Sequence, residues 1–186
     1  MAHRYLKQIL DALWPTGQRG YEKIYVVLDG ARDQKIYGAV VGTYLRNCCL
    51  YSGDLPSQAK LAAPYLVELE RDDAFTRYII NKGWGESWGI FFRSPESMER
   101  IRRHLRGFLV VKDEKGRRLL FRYYDPRVLR VYLPTCVTRE LQTVFGPINR
   151  FVVEGEEEDE LLRFDFDRTS LTLSQETVEL RTAVAR

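Results

Sequence analysis

The chain has 186 residues, of which 45% are apolar and 12% aromatic, and its formal net charge is +3. That length suffices for one domain with its own core, and so small a net charge does not by itself indicate a nucleic-acid or membrane partner. No apolar run reaches the roughly 18 residues of a membrane-spanning helix, and the N-terminus lacks a signal-peptide pattern. We therefore expect a cytoplasmic protein.

The first part of the chain predicts helices alternating with buried strands. Apolar residues spaced i, i+3, i+4 and i+7 predict a helix over Tyr5–Trp14. The continuous apolar run Glu22–Leu28 predicts a central strand covered on both faces, closed by Asp29-Gly30. A second helix is predicted over residues 34–47. This order favours a layered α/β arrangement.

The middle of the chain predicts a loop, two strands and a helix. Ser52-Gly53-Asp54 is a turn cluster, and a strand of alternating character follows Pro64. A helix is predicted to begin at Asp72 and to end near Gly83, before a strand over Trp88–Phe92. Gly89 lies inside that strand, where a glycine either bends the strand or allows another backbone to approach closely.

The next segments carry most of the basic residues. Ser94-Pro95 predicts the start of a helix that ends at Gly107 and buries Met98, Ile101 and Leu105. A β-hairpin is predicted from residues 108–112 and 117–123. Asp125-Pro126 then predicts a helix cap and first helical residue.

The C-terminal part is acidic. It predicts a helix over Thr138–Phe145 and two strands over residues 148–153 and 161–166 around an acidic turn. Beyond Arg168, the chain either finishes the fold or forms an arm that orders on a partner. We predict an α/β fold, with α+β as an alternative: a central mixed sheet flanked by helices, with a small C-terminal hairpin and tail. We expect residues 1–147 to form the core of the domain. Residues 148–186 are expected to form an acidic hairpin and a tail, as an appendage of the same domain.

The three cysteines do not indicate a disulfide framework or a metal site. Cys48 and Cys49 are adjacent and Cys136 is distant, so buried thiols are the expected role. The common phosphate-binding, dinucleotide, nucleophile-elbow and zinc-protease motifs are absent from the sequence. The residues therefore favour a non-enzymatic protein without a cofactor.

Two other functions stay open at this point. One is an enzyme acting on a small molecule or nucleotide through a carboxylate cluster of Asp29, Asp54 and Asp125, although aspartate before glycine or proline is commonly a turn or cap residue. The other is a nucleic-acid-binding module using the basic region 100–130, for which a solvated basic face is the simpler explanation.

Six blocks, in this order and with these gaps, resemble the effector-chaperone (adaptor) family of bacterial type VI secretion. They are VVLDGAR at 26–32, LYSGDLP at 50–56, APYLVEL at 63–69, SWGIFF at 87–92, RHLRGFLVV at 103–111 and FRYYDPRVLRVYLPT at 121–135. The resemblance spans residues 24–150. The acidic hairpin and the tail lie outside these blocks.

The resemblance implies a cytoplasmic adaptor that binds a secreted effector and helps to load it onto the spike protein, without catalysing a reaction. It also implies partner-contact residues within the blocks: Tyr51, Asp54, Pro56, Arg106, Arg122, Tyr124 and Arg127. Arginine and tyrosine suit such contacts because each combines a large contact area with directional polar groups. Arg122, Tyr124 and Arg127 are expected at the surface, whereas Asp125 and Pro126 build the corner.

Overall fold

The computed structural model describes residues 4–16 and 22–181, in which helices and strands alternate over residues 6–112. The helices are α1 (Leu6–Leu13), α2 (Gln34–Gly42), α3 (Ser57–Leu61), α4 (Ala74–Gly83), α5 (Met98–Arg106), α6 (Pro126–Tyr132) and α7 (Thr138–Phe145). The strands are β1 (Lys23–Asp29), β2 (Asn47–Cys49), β3 (Pro64–Leu69), β4 (Gly89–Ser94), β5 (Val110–Lys112), β6 (Arg118–Leu120), β7 (Arg150–Glu154), β8 (Glu160–Asp167) and β9 (Thr172–Glu179).

Seven of these strands form one sheet in the order β2-β3-β1-β4-β7-β8-β9, and β5 and β6 form a separate two-stranded sheet. The prediction of a central sheet with flanking helices is confirmed. The expectation of a mixed sheet is wrong, because every pair within the described residues is antiparallel. The fold is therefore α+β, the alternative that the sequence left open.

The sheet separates two apolar layers, because successive side chains of a strand point to opposite faces. In β1, Tyr25 and Val27 belong to the layer covered by α5, α6 and α7. Ile24 and Val26 belong to the layer covered by α1, α2 and α4. The prediction that β1 is a central strand covered on both faces is confirmed.

The residues expected to form an acidic hairpin and tail continue the main sheet. β7 pairs with β4, β8 with β7, and β9 with β8 from Asp167↔Thr172 to Glu160↔Glu179. Leu180, just beyond β9, is buried. β9 therefore closes one edge of the sheet.

Gly89 at the start of β4 allows two backbones to approach closely. A Cβ atom at this position would lie 2.1 Å from the carbonyl oxygen of Val27. The second of the two expected roles of this glycine is thus confirmed. The contact brings the start of β4 against the end of β1.

Several helices begin or end at different residues from those expected, and α4 is capped by Asp73 rather than by Asp72. α2 ends at Gly42, since Thr43 is extended and Tyr44 is fully exposed. α5 is capped by Ser97, whose hydroxyl accepts a hydrogen bond from the N–H of Arg100, whereas Ser94 ends β4. Across the described ranges, no helix combines the length and apolar character needed to cross a bilayer.

Candidate partner-binding site

The end of β1 meets the segment that leads into α6. Asp29, the last residue of β1, is 0% exposed. One of its carboxylate oxygens accepts a hydrogen bond from the N–H of Ala31 at 3.1 Å, and the other accepts one from a guanidinium nitrogen of Arg122. The Arg122 side chain is 40% exposed, and its bond to Asp29 raises its pKa. A buried carboxylate is thus paired with an arginine that reaches the surface.

Asp125 makes a second pair of the same kind. Its carboxylate accepts hydrogen bonds from the backbone N–H of Arg127 at 3.0 Å and from the Arg127 guanidinium at 3.0 and 2.7 Å. Burial alone would raise the pKa of Asp125, but the hydrogen bonds from Arg127 outweigh it and lower the pKa. Asp125 caps α6 and Pro126 is its first residue, so this prediction is confirmed.

We call Asp29, Arg122, Asp125 and Arg127 the Asp–Arg corner. The backbone N–H of Asp125 donates a hydrogen bond to the carbonyl oxygen of Arg122 at 3.0 Å, so the two pairs are neighbours. Asp54, by contrast, lies in an exposed loop. No group of three metal-ligating side chains occurs in residues 4–16 and 22–181, so Asp29, Asp54 and Asp125 do not form one there.

Tyr124 is buried rather than exposed. Only 1% of its surface is accessible, so its expected surface position is wrong. Burial raises the pKa of Tyr124, and a hydrogen bond with the Tyr51 hydroxyl raises it further. The ring also packs edge-on against Tyr123. Tyr124 therefore links the Asp–Arg corner to the loop that carries Tyr51. A tyrosine can do so because its apolar ring can be buried while its hydroxyl makes a hydrogen bond.

Two pockets of about 440 and 420 Å³ adjoin at the loop of residues 50–56, where both are lined by Tyr51 and Leu55. The first contains Arg102 and Asp54, and the second contains Arg106, which donates a hydrogen bond to the Ser52 hydroxyl. Pro56 is exposed at the start of α3. We call these two pockets together the α5 groove, since both arginines belong to α5.

The β5–β6 hairpin borders this groove and exposes apolar side chains. Val110, Val111, Leu119 and Leu120 are 37–48% exposed. The register pairs Val110 with Leu120, which line the groove, and Val111 with Leu119 on the other face. Strands with aliphatic residues on both faces are usually buried. The sequence therefore did not indicate that the hairpin exposes these side chains.

The basic region is partly neutralised by local ion pairs. Arg100 lies 3.4 Å from Glu96, and Arg117 lies 2.7 Å from Asp113. Arg102, which was not among the expected contact residues, opens into the α5 groove. Its position four residues before Arg106 is the signal that places both on one helix face.

Comparison with known proteins places the chain in a family. No curated protein and no solved structure matches the chain. A family model described as "Domain of unknown function (DUF4123)" matches residues 24–143. This range runs from β1 to α7 and includes the Asp–Arg corner, the α5 groove and the hairpin. Because the match covers well over half of the 186 residues, the chain belongs to the DUF4123 family.

Proposed function

We propose that this protein is a non-enzymatic adaptor that binds a type VI secretion effector and helps to load it onto the spike protein. The observation that carries the proposal is the exposed aliphatic hairpin beside the α5 groove, within the region matched by the family. The six blocks that resemble the effector-chaperone family fall in the same region. An exposed apolar surface flanked by arginine and tyrosine is typical of protein interaction sites.

The Asp–Arg corner supports a positioning role. Asp29 and Asp125 are each held by a guanidinium group and by a backbone N–H. Arginine stays charged at all ordinary pH values, and the hydrogen bonds from Arg127 hold the pKa of Asp125 below its usual range. The corner accordingly fixes the start of α6 and, through Tyr124, the loop that borders the groove.

An adaptor needs a surface for each of two partners. Besides the α5 groove, a depression of about 750 Å³ lies between α2 and α4. Tyr44 is fully exposed at its rim, and Phe75 and Tyr78 line it. We assign effector binding to the surface of the hairpin, because exposed aliphatic residues are densest there. The depression between α2 and α4 is then available to bind the spike protein.

The proposal is tested by co-expressing the chain with the effector encoded by a neighbouring gene and with the C-terminal segment of the spike protein. Both should co-purify with the chain. The variant Val111→Ser/Leu119→Ser should weaken effector binding about tenfold or more, as measured by isothermal titration calorimetry.

The control variant is Val131→Ser/Val137→Ser, which alters two aliphatic residues that lie outside the hairpin and are more exposed than Val111 and Leu119. It should bind the effector as the unmodified chain does. Absence of both complexes at micromolar protein concentration would overturn the proposed function.

A further inference from the structure

Two arginines of α5 face the same groove. Arg102 and Arg106 are one helical turn apart, which corresponds to a rise of about 6 Å. Each lines one of the two pockets that meet at Tyr51 and Leu55. Residues four apart in a helix lie on the same face. The two guanidinium groups therefore lie on the same side of α5.

Arg102 has an unused hydrogen-bond donor. Its Nε is buried, and no residue in the described part of the chain accepts a hydrogen bond from it. A buried donor without an acceptor costs free energy. Arg102 lines the first pocket of the groove, and a carboxylate supplied from outside would match the planar geometry of its guanidinium group.

The groove has an excess of positive charge and an aliphatic lining. Its charged residues are Lys60, Arg102, Arg106, Arg118 and the single carboxylate Asp54. Its aliphatic residues are Val41, Leu50, Leu55, Leu109, Val110 and Leu120, and its aromatic residues are Tyr37, Tyr51 and Tyr65. Nucleic-acid strands are bound mainly through phosphate contacts and free aromatic stacking platforms, whereas Tyr65 is buried and packs against Tyr37. An aliphatic lining next to arginine instead suits the side chains of a peptide.

We infer that the α5 groove binds an extended acidic–apolar peptide segment in which two carboxylates, separated by one residue, pair with Arg102 and Arg106. Residues j and j+2 of an extended strand are about 6.6 Å apart and point to the same side, close to the spacing of the two arginines. The alternating aliphatic side chains then meet the leucine-lined wall. That the segment belongs to an effector rests on the proposed function.

A fluorescein-labelled peptide of alternating aspartate and leucine tests the inference by fluorescence anisotropy with the full chain. A matched peptide of alternating lysine and leucine is the control ligand. The unmodified chain should bind the acidic peptide and not the basic one. The variant Arg102→Glu/Arg106→Glu should weaken binding about tenfold or more, because each lost pair is a charge-assisted hydrogen bond.

The matched control is Arg100→Glu/Arg103→Glu, which makes the same charge change on exposed positions of the same helix. It should weaken binding less than about threefold, by long-range electrostatics alone. Equal losses in both variants, or no binding of the acidic peptide, would overturn the inference. Preference for a single-stranded oligonucleotide over the acidic peptide would overturn it too.

Peptide binding tests the assignment of the α5 groove, whereas effector binding tests the adaptor function. If the effector co-purifies but Arg102→Glu/Arg106→Glu leaves its affinity unchanged, the groove assignment fails and the adaptor function stands. If the peptide binds as expected and the effector does not, the adaptor function fails and the groove assignment stands. Thermal unfolding followed by circular dichroism shows that each variant is folded.

Discussion

The guanidinium group of Arg122 donates a hydrogen bond to the buried carboxylate of Asp29. Family resemblance assigned this arginine to a partner surface, and its side chain is indeed partly exposed. The pairing of Arg122 with Asp29, however, mainly stabilises the fold. Removing one member of a buried ion pair leaves an uncompensated charge, whereas removing an exposed pair costs little.

Arg122→Ala should lower the free energy of unfolding by about 2–3 kcal/mol, a value below that of a fully buried pair because water reaches the vacated site. Urea unfolding measures this change. Arg117→Ala, which breaks the exposed pair with Asp113, is the control and should leave the midpoint unchanged. Asp29→Asn combined with Arg122→Ala should cost less than the two single losses together. Strict additivity would show that the pair contributes nothing.

At the residue scale, the sequence predicted what local chemistry determines. Asp125 before Pro126 is a helix cap whatever the rest of the chain does. The interaction of the Tyr124 hydroxyl with Tyr51 joins two residues that lie far apart in the sequence. The pairing of Asp29 with Arg122 likewise depends on how β1 meets α6. Neither contact has a local signal.

The contact between α5 and α7 shows how a helix pair depends on one side chain. The ring of His104 in α5 lies with its Nε2 2.9 Å from the carbonyl oxygen of Val144 in α7. A Cβ atom at Gly146, which has φ 44°, would lie 2.3 Å from that ring. The close approach of the two helices therefore requires glycine at this position.

Burial lowers the pKa of His104, and its hydrogen bond to Val144 only partly offsets this. As the pH is lowered, His104 is therefore protonated at a higher pH in the unfolded chain than in the folded chain. Stability should fall as pH drops below about 6.5, the ordinary histidine value, toward the lower folded pKa. His104→Gln should unfold with a smaller difference in midpoint between pH 7 and pH 5 than the unmodified chain. Equal pH dependence of the two would contradict this cause.

At the element scale, buried strands and amphipathic helices were predicted because their periodicity is local. β1 and α7 follow from their apolar patterns. The end of α2 was placed too late because Tyr44 and Leu45 continue the helical spacing, although Thr43 already has extended backbone. The exposure of Val111 and Leu119 was missed because apolar strand residues are usually covered.

The whole molecule depends on strand pairings between distant segments. β7 lies beside β4, and β3 beside β1, which the order of segments along the chain does not reveal. The sheet was expected to be mixed because strands alternate with helices, a pattern common to parallel and antiparallel arrangements. The sequence left open whether the segment after Arg168 finishes the fold or is a docking arm, and β9 finishes the sheet.

Truncation after Arg168 should therefore destabilise the whole domain by roughly 3 kcal/mol or more, because it removes the β9 ladder and the buried Leu180. Leu180→Ala in the full chain should cost about 2–3 kcal/mol. Leu171→Ala, at an exposed position before β9, should change stability by less than about 0.5 kcal/mol. Unchanged stability on truncation, together with loss of one partner, would instead identify a docking arm.

The two apolar layers differ in how they can be observed spectroscopically. All three tryptophans, Trp14, Trp84 and Trp88, belong to the layer covered by α1, α2 and α4. Tryptophan emission therefore reports on that layer, and the layer beneath α5, α6 and α7 is silent at the same wavelength. Unfolding curves from tryptophan emission and from far-ultraviolet circular dichroism would coincide only if both layers come apart in one cooperative step.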